Sequence, residues 1–395
     1  MKDKKKLRIA VCDTVTSFGG VQRVMVNLLP QLAGEFDICV VDPYANPDYA
    51  KQLMQVNIPI YFNKPSFKKP YIGGKKTWKR PFKLFFAVPK IIKIIHMYAT
   101  ALAEISPDCI YSNQLSTLRL LGLVAPLHRI PLIYHAHGFA KASDISRFAV
   151  KFLNTSARVV IANSKRTADI LRQAGVRPDI IHVCHNAVCI AEVQHLAQLP
   201  ANKPLPVKKP GQVIFLLPAV IQHIKGQHLV IEALAKVAEK GHDVTLWLAG
   251  DVATGGNQQY LKELHRMADK LGIAPLVHFL GWRDDIYQLM AAADVVMLCS
   301  LTESFGMALA EAMVLSKPCI GANIGGMPEV IADKQTGLLF TPKSVDSLID
   351  AMVHLTVDTQ MRIDFGKAGK QRVMQCFTIS AQAKAVSTLI NSITS

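Results

Sequence analysis

Residues 294–313 read Asp294-Val295-Val296-Met297-Leu298-Cys299-Ser300-Leu301-Thr302-Glu303-Ser304-Phe305-Gly306-Met307-Ala308-Leu309-Ala310-Glu311-Ala312-Met313. Val295–Cys299 is an unbroken apolar run of strand length. A short polar turn follows, and a helix is expected to start near Phe305. A strand buried on both faces that feeds a helix through a tight turn is the unit of a parallel sheet. Glu303 then lies on the loop at the helix N-terminus, and Glu311 lies about two turns into the helix.

The same alternation recurs along the chain. Strands are expected at Leu7–Cys12, Asp37–Val41, Cys109–Tyr111, Leu132–Tyr134, Val159–Ala162 and Ile180–Val183. A glycine turn and a helix from Val21 follow the first, and Lys165–Ala174 has a helical pattern. A second series falls near Gln212–Leu217, Val244–Ala249, Val277–Leu280, Val295–Cys299 and Pro318–Ala322. Between the two series, residues 199–211 carry four prolines. Each removes a backbone donor and fixes φ, so the stretch reads as a linker. The expected organisation is α/β with two tandem Rossmann-like domains, residues 1–205 and 206–377, with a C-terminal helix at 378–395 packing back on the first. Ligands of such sheets bind outside the carboxyl ends of the strands.

The 395 residues are 50% hydrophobic and 19% charged, enough apolar material for two cores. The net charge of +16 points to a polyanionic partner. Eight cysteines without a CxxC pair argue against a zinc ribbon or redox motif and read as small buried residues of a reducing compartment. Neither a signal peptide nor a membrane-spanning segment stands out, so a cytoplasmic protein, at most peripheral on the membrane, is expected.

At the helix N-terminus, the backbone N–H groups of Phe305, Gly306 and Met307 suit an anion such as a diphosphate. Carboxylates beside it accept hydrogen bonds from sugar or ribose hydroxyls. From spacing alone, Glu303 reads equally well as a helix-start acid and Glu311 as a surface residue. The surrounding residues add more. Asp294, Ser300, Glu303-Ser304-Phe305-Gly306, Glu311-Ala312-Met313, Lys317-Pro318, Gly325-Gly326 and Gly337 closely resemble the donor half of the retaining GT-B glycosyltransferases called family 4. Other segments match in order: Phe18-Gly19-Gly20, His137 in His135-Ala136-His137-Gly138, Asn163-Ser164 with Thr167, His185-Asn186-Ala187-Val188, Lys225-Gly226 with Ala233, and Leu248-Ala249-Gly250. The resemblance runs from about Arg8 to Phe377.

It implies a GT-B fold whose two sheets face a cleft, and a nucleotide-sugar donor, UDP-linked rather than GDP-linked. Gly19 and Gly20 are then expected to let backbone approach the donor or acceptor. Lys225 pairs with the diphosphate, Glu303 and Ser304 hold the transferred sugar, Glu311 holds the ribose, and His137 orients the sugar at the reacting carbon. Residues near Trp282 and Arg283 frame the base. The resemblance also implies chemistry without a metal or other cofactor. One departure stands out: the family's arginine before the lysine is replaced here by Ala219 and Val220, leaving Arg23, Lys165 or the helix N-terminus to share the diphosphate.

Between Lys64 and Lys93 lie ten cations and no acid, Lys75, Lys76, Lys79, Arg80 and Lys83 among them, interleaved with Phe67, Tyr71, Trp78, Phe82, Phe85 and Phe86. Basic side chains with aromatics form the pattern of an interfacial anchor, which points to an anionic membrane surface. Together with the family resemblance, this implies a glycan or lipid-linked acceptor in envelope polysaccharide or lipopolysaccharide assembly. The same stretch also reads as a solvated basic loop; nucleic acid is not expected, because no binding motif accompanies the charge. A rival class, a non-catalytic GT-B subunit supporting a partner enzyme, rests on Val220. A dehydrogenase would need a GxGxxG turn, which Phe18–Arg23 lacks.

Overall fold

The computed structural model describes residues 6–62, 64, 80–124, 130–252, 256 and 258–394, with the backbone alone for 80–87. The chain forms two compact units, residues 1–185 with 379–395, and residues 186–378.

In chain order the first unit contains β1 (Arg8–Cys12), α1 (Gly20–Ala33), β2 (Asp37–Val41), α2 (Pro47–Gln55), α3 (Arg80–Ile105), β3 (Cys109–Ser112), α4 (Leu115–Leu121), β4 (Leu132–Ala136), α5 (Arg147–Ser156), β5 (Ala157–Ala162), α6 (Lys165–Gln173) and β6 (Ile181–Val183). Its six strands lie in the order β2-β1-β3-β4-β5-β6 and pair in parallel. Successive residues of β1 face opposite sides. Ala10 and Cys12 join one buried cluster, while Ile9 and Val11 join another on the far face. Helices must cover both faces, which is why the strands read as continuous apolar runs.

The second unit contains α7 (Ile190–Gln198), β7 (Val213–Pro218), α8 (Gln227–Glu239), β8 (Val244–Ala249), α9 (Gln258–Lys270), β9 (Val277–Gly281), α10 (Ile286–Ala292), β10 (Val295–Leu298), α11 (Met307–Val314), β11 (Cys319–Ala322), α12 (Met327–Val330), β12 (Gly337–Phe340), α13 (Val345–Val357) and α14 (Thr359–Cys376). Its strands run β12-β11-β10-β7-β8-β9, also in parallel. The final helix α15 (Ile379–Thr394) belongs to the first unit. Its Ala383, Val386 and Ile390 are buried there with Leu28 and Leu29 of α1. Each such aliphatic side chain contributes roughly 1.5–3 kcal/mol by burial.

Two expectations need correction. The passage from first to second unit falls at His185/Asn186, not in the proline-rich stretch. The reason is local: Val193 of α7 is buried in the second core. The stretch itself is also tied down. Asp285 accepts from the backbone N–H of Asn202 (2.8 Å), and Lys208 reaches Asp294 (2.8 Å). The strand Gly337–Phe340 has no counterpart in the sequence reading, being only four residues long.

In each sheet the strand order reverses once. The chain steps outward from β1 to β2, returns to place β3 on the other side of β1, and likewise puts β10 on the other side of β7. Loops leaving two such neighbouring strands diverge to opposite faces and open a crevice at their carboxyl ends.

Candidate functional site

In the second unit the crevice lies beyond β7 and β10. The chain leaving β7 makes a single tight turn at His223–Lys225 and reaches Gly226, whose φ is +73°. A Cβ on Gly226 would stand 2.1 Å from the Cys299 carbonyl oxygen, so only glycine allows this loop to press on the end of β10. The Leu301 N–H donates to the Ile224 carbonyl at 2.7 Å and zips the two loops together. Lys225 Nζ then meets Glu303 Oε2 at 2.8 Å. Ser300 Oγ donates to the same oxygen at 3.3 Å, and the Ser304 N–H donates to Oε1 at 3.3 Å. From the other side Gly325 (φ +64°) backs onto Glu303 so closely that a Cβ would sit 1.7 Å from its carbonyl oxygen. The loop is therefore fixed while its side chains are not. The lysine and glutamate side chains are 24% and 17% exposed, so both ends of the pair remain open to solvent on one side. A ligand phosphate can take the lysine, and ligand hydroxyls the glutamate.

Helix α11 starts at Met307 rather than near Phe305, because Gly306 caps it in the left-handed region at φ +97°. Glu311 is accordingly one turn into the helix, not two. It is buried, and its Oε1 accepts from Tyr287 Oη at 3.2 Å. The Phe305 side chain lies in the core, edge-on to Phe377 with ring centroids 5.4 Å apart. Only its backbone remains for a ligand. Met307 is half-buried. Trp282 is 72% exposed, whereas Arg283 is buried. Arg283 grips Asp285 at 2.6 and 2.7 Å and donates to the carbonyls of Lys203 and Pro204. Arg283 is a strut for the proline-rich stretch.

In the first unit the crevice lies beyond β1 and β3. Asp13, just past β1, is fully buried. Its carboxylate accepts from the Asn113 N–H (2.9 Å) and from Asn113 Nδ2 (2.7 Å), just past β3. Asn113 Oδ1 meets His137 Nε2, just past β4, at 2.9 Å. Burial raises Asp13 to about 7, against the Asn113 donors that pull it down, with Asp42 adding to the rise. Burial lowers His137 to about 3, so its ring is neutral. Because the Asn113 amide nitrogen faces the carboxylate, its oxygen faces His137, and the proton of His137 is on Nε2. His137 Nδ1 is buried and has no partner among the described residues. The His135 ring lies against that of His137, with centroids 4.1 Å apart and planes tilted by 33°, and its Nδ1 bonds Tyr111 Oη at 2.6 Å. Gly19 caps α1 in an extended conformation, with its N–H bonded to Gln22 Oε1 at 3.1 Å. A Cβ on Gly20 would meet open space. Neither position needs glycine for its backbone. Arg23 and Lys165, the cations expected to help Lys225, open α1 and α6 of this unit.

Sequence reasoning missed Asp13, Asn113 and Tyr287. The available signal for the first two was a polar residue directly after each strand run. Of the basic stretch, Lys75, Lys76 and Lys79 lie outside the described residues. Arg80 and Lys83 lie on the backbone of α3, with their side chains outside the description. Among the described residues no helix is long and apolar enough to cross a membrane. All eight cysteines are free, and five of them are buried.

Two tandem α/β units, each with a six-stranded parallel sheet, are the architecture of the GT-B glycosyltransferases, whose solved structures this chain matches. The family described as Glycosyltransferase Family 4 matches residues 18–192, and Glycosyl transferases group 1 matches residues 201–372. The chain belongs to glycosyltransferase family 4 and is a transferase. The D-inositol 3-phosphate glycosyltransferase of Corynebacterium aurimucosum is 27% identical over 290 residues, 69% of each chain. The N-acetyl-alpha-D-glucosaminyl L-malate synthase of Bacillus anthracis is 34% identical over 153 residues, 38% of this chain and 37% of that one. The crystal structure of Anabaena HepE in complex with UDP and glucose matches with a TM-score of 0.77 at 26% identity, covering 98% of this chain and 100% of that one.

Proposed function

We propose that the protein moves a sugar from a nucleotide-sugar, UDP-linked rather than GDP-linked, to a glycan or lipid-linked acceptor at an anionic membrane surface, with retention of anomeric configuration. The setting is envelope polysaccharide or lipopolysaccharide assembly. The observation that carries the reading is the pair Lys225–Glu303 (2.8 Å) in a glycine-fixed crevice before the N-terminus of α11. Its likeness to HepE, solved with UDP and with UDP-glucose, supports the choice of base.

In this reading the diphosphate takes Lys225 from Glu303, and the backbone of Gly306 and Met307 shares the charge. Glu303, released, accepts from hydroxyls of the sugar together with Ser304. Glu311 accepts from the ribose. Charge on the departing diphosphate grows as the sugar–oxygen bond breaks, and a fixed lysine stabilises it most at that moment. This reading asks for no metal, since the lysine supplies the positive charge. Val220 leaves the lysine without an arginine from its own loop. His137, with a neutral ring, orients the sugar, and the cations from Lys75 to Lys83 hold the acceptor's membrane.

The test is calorimetric titration of UDP into the protein and its Glu311→Ala variant. Losing the ribose acceptor costs roughly 1.5–3 kcal/mol, a tenfold or greater loss of affinity. Equal affinities would remove Glu311 from the site.

A further inference from the structure

The polar chain Asp13–Asn113–His137 joins the ends of three strands, and the donor chemistry above leaves its first two members unused. Asn113 can present its amide in only two ways. With Asp13 ionised, Nδ2 donates to the carboxylate at 2.7 Å and Oδ1 accepts from His137 Nε2 at 2.9 Å. His137 Nδ1 is then a bare acceptor, buried and unpartnered among the described residues. With Asp13 protonated, its O–H needs an acceptor, and the amide must turn over so that Oδ1 receives it. Nδ2 then points at His137 Nε2, which has to give up its proton.

We infer that Asp13 and Asn113 are positioning residues that set the tautomer of His137, so that Nδ1 accepts from a substrate hydroxyl when Asp13 is ionised and donates to it when Asp13 is protonated. The protons balance: solvent gives one to Asp13 Oδ2, and the ring proton moves from Nε2 to Nδ1 with the imidazole neutral throughout. The other lone pairs are already committed, since Asp13 Oδ1 keeps the Asn113 N–H (2.9 Å) in both states. Asn163 Nδ2 holds the His137 carbonyl at 3.0 Å, so the backbone of His137 stays in position while the ring changes role.

The groups facing Asp13 are Cys12 on its own strand, Asp42 beyond β2, Tyr49 on α2, Tyr98 on α3, Tyr111 on β3 and Tyr134 on β4. Burial pushes the thiol and the four phenols upward, so they stay neutral. Asp42, raised by burial to about 6, is the neighbour that titrates in the same range. Asp13 itself is raised to about 7, which sets the exchange near neutrality.

The consequence for transfer rests on the reading of His137 as a sugar-orienting group; the tautomer does not. Full-length protein labelled with 15N-histidine distinguishes them by long-range proton–nitrogen correlation, with His137 assigned from its loss in His137→Gln. At about pH 8.5 the wild type is expected to carry the proton on Nε2, and at about pH 5.5 on Nδ1. Asp13→Asn, a permanent amide, fixes the Nδ1–H form at both. Its kcat for transfer falls roughly tenfold or more, as a wrong tautomer does elsewhere, with the donor KM within about twofold. An unchanged wild-type tautomer across that range overturns the inference, and needs no variant to fold. So does an Asp13→Asn protein that keeps the proton on Nε2. A tautomer that exchanges while kcat does not would instead count against the role of His137 in the proposed reaction.

Discussion

The two sheets reverse strand order at equivalent points, between β1 and β3 and between β7 and β10, and fill those points with opposite chemistry. Beyond β7 and β10 the chain sets a charged pair, Lys225 and Glu303, both partly open to solvent. Beyond β1 and β3 it sets a buried acid, an amide and, from β4, an imidazole held neutral. An ion pair open to solvent on one side can be reached by a charged ligand, so it suits a site that trades partners. A buried relay is costly to leave unsatisfied, so it suits a site whose side chains must be held in a fixed orientation. One topology thus carries a part-exposed ion pair in one unit and a buried polar relay in the other.

The largest expected effect separates the basic stretch of the sequence from the proposed donor site. Changing Lys75, Lys76, Lys79, Arg80 and Lys83 to Ser removes five charges, each worth about 1 kcal/mol at an anionic bilayer. Sedimentation with anionic vesicles at low salt should collapse, while UDP affinity, a property of the second unit, stays put. Equal sedimentation of wild type and variant would leave the stretch a solvated loop.

Next comes Phe305→Ala. Its ring is 1% exposed and packs on Phe377, so truncation should lower the stability of the fold by roughly 3–5 kcal/mol in denaturant unfolding. A loss of UDP affinity with stability intact would mean that the ring, not its backbone, serves the ligand, and the contrast between fixed loop and free side chains would fail.

The third effect is smaller and runs the other way. Asp13 has a folded-state affinity for its proton raised to about 7, above the ordinary carboxylate value near 4, so the folded protein binds more protons than the unfolded one between those limits. Stability from this group is lost as pH rises through that window. Asp13→Asn removes the loss, and should raise the free energy of unfolding at about pH 8 by on the order of 2 kcal/mol, but not at about pH 4. A variant destabilised equally at both would mean that the carboxylate is a structural anchor.

How much of this was legible follows from where each signal is stored. The strand runs β2 and β8 are bounded as expected, because an apolar stretch between polar turns carries its own ends. The meeting of Lys225 with Glu303 was legible because Lys225-Gly226 and Glu303–Glu311 are compact motifs, each within one loop or one loop-to-helix turn. The start of α11 was missed by two residues, since only the left-handed Gly306 determines it. Asp13, Asn113 and His137 are about 100 and 24 positions apart in sequence and meet only when three strands are side by side. No periodicity records such a meeting. The unit boundary was misread for the reverse reason: four prolines resemble a linker locally, but Arg283, Asp285 and Asp294 secure that stretch from some eighty residues away.

The central claim is that Lys225, freed from Glu303, carries the departing diphosphate. The most direct measurement is the rate of UDP release from a UDP-sugar in the presence of EDTA, for the wild type and for Lys225→Ala. UDP should accumulate with the wild type and roughly 100- to 1,000-fold more slowly with the variant, whose Tm should stay close to that of the wild type because Glu303 keeps its bonds from Ser300 and the Ser304 N–H. Equal rates for the two proteins, or release that appears only when a divalent metal is restored, would contradict it.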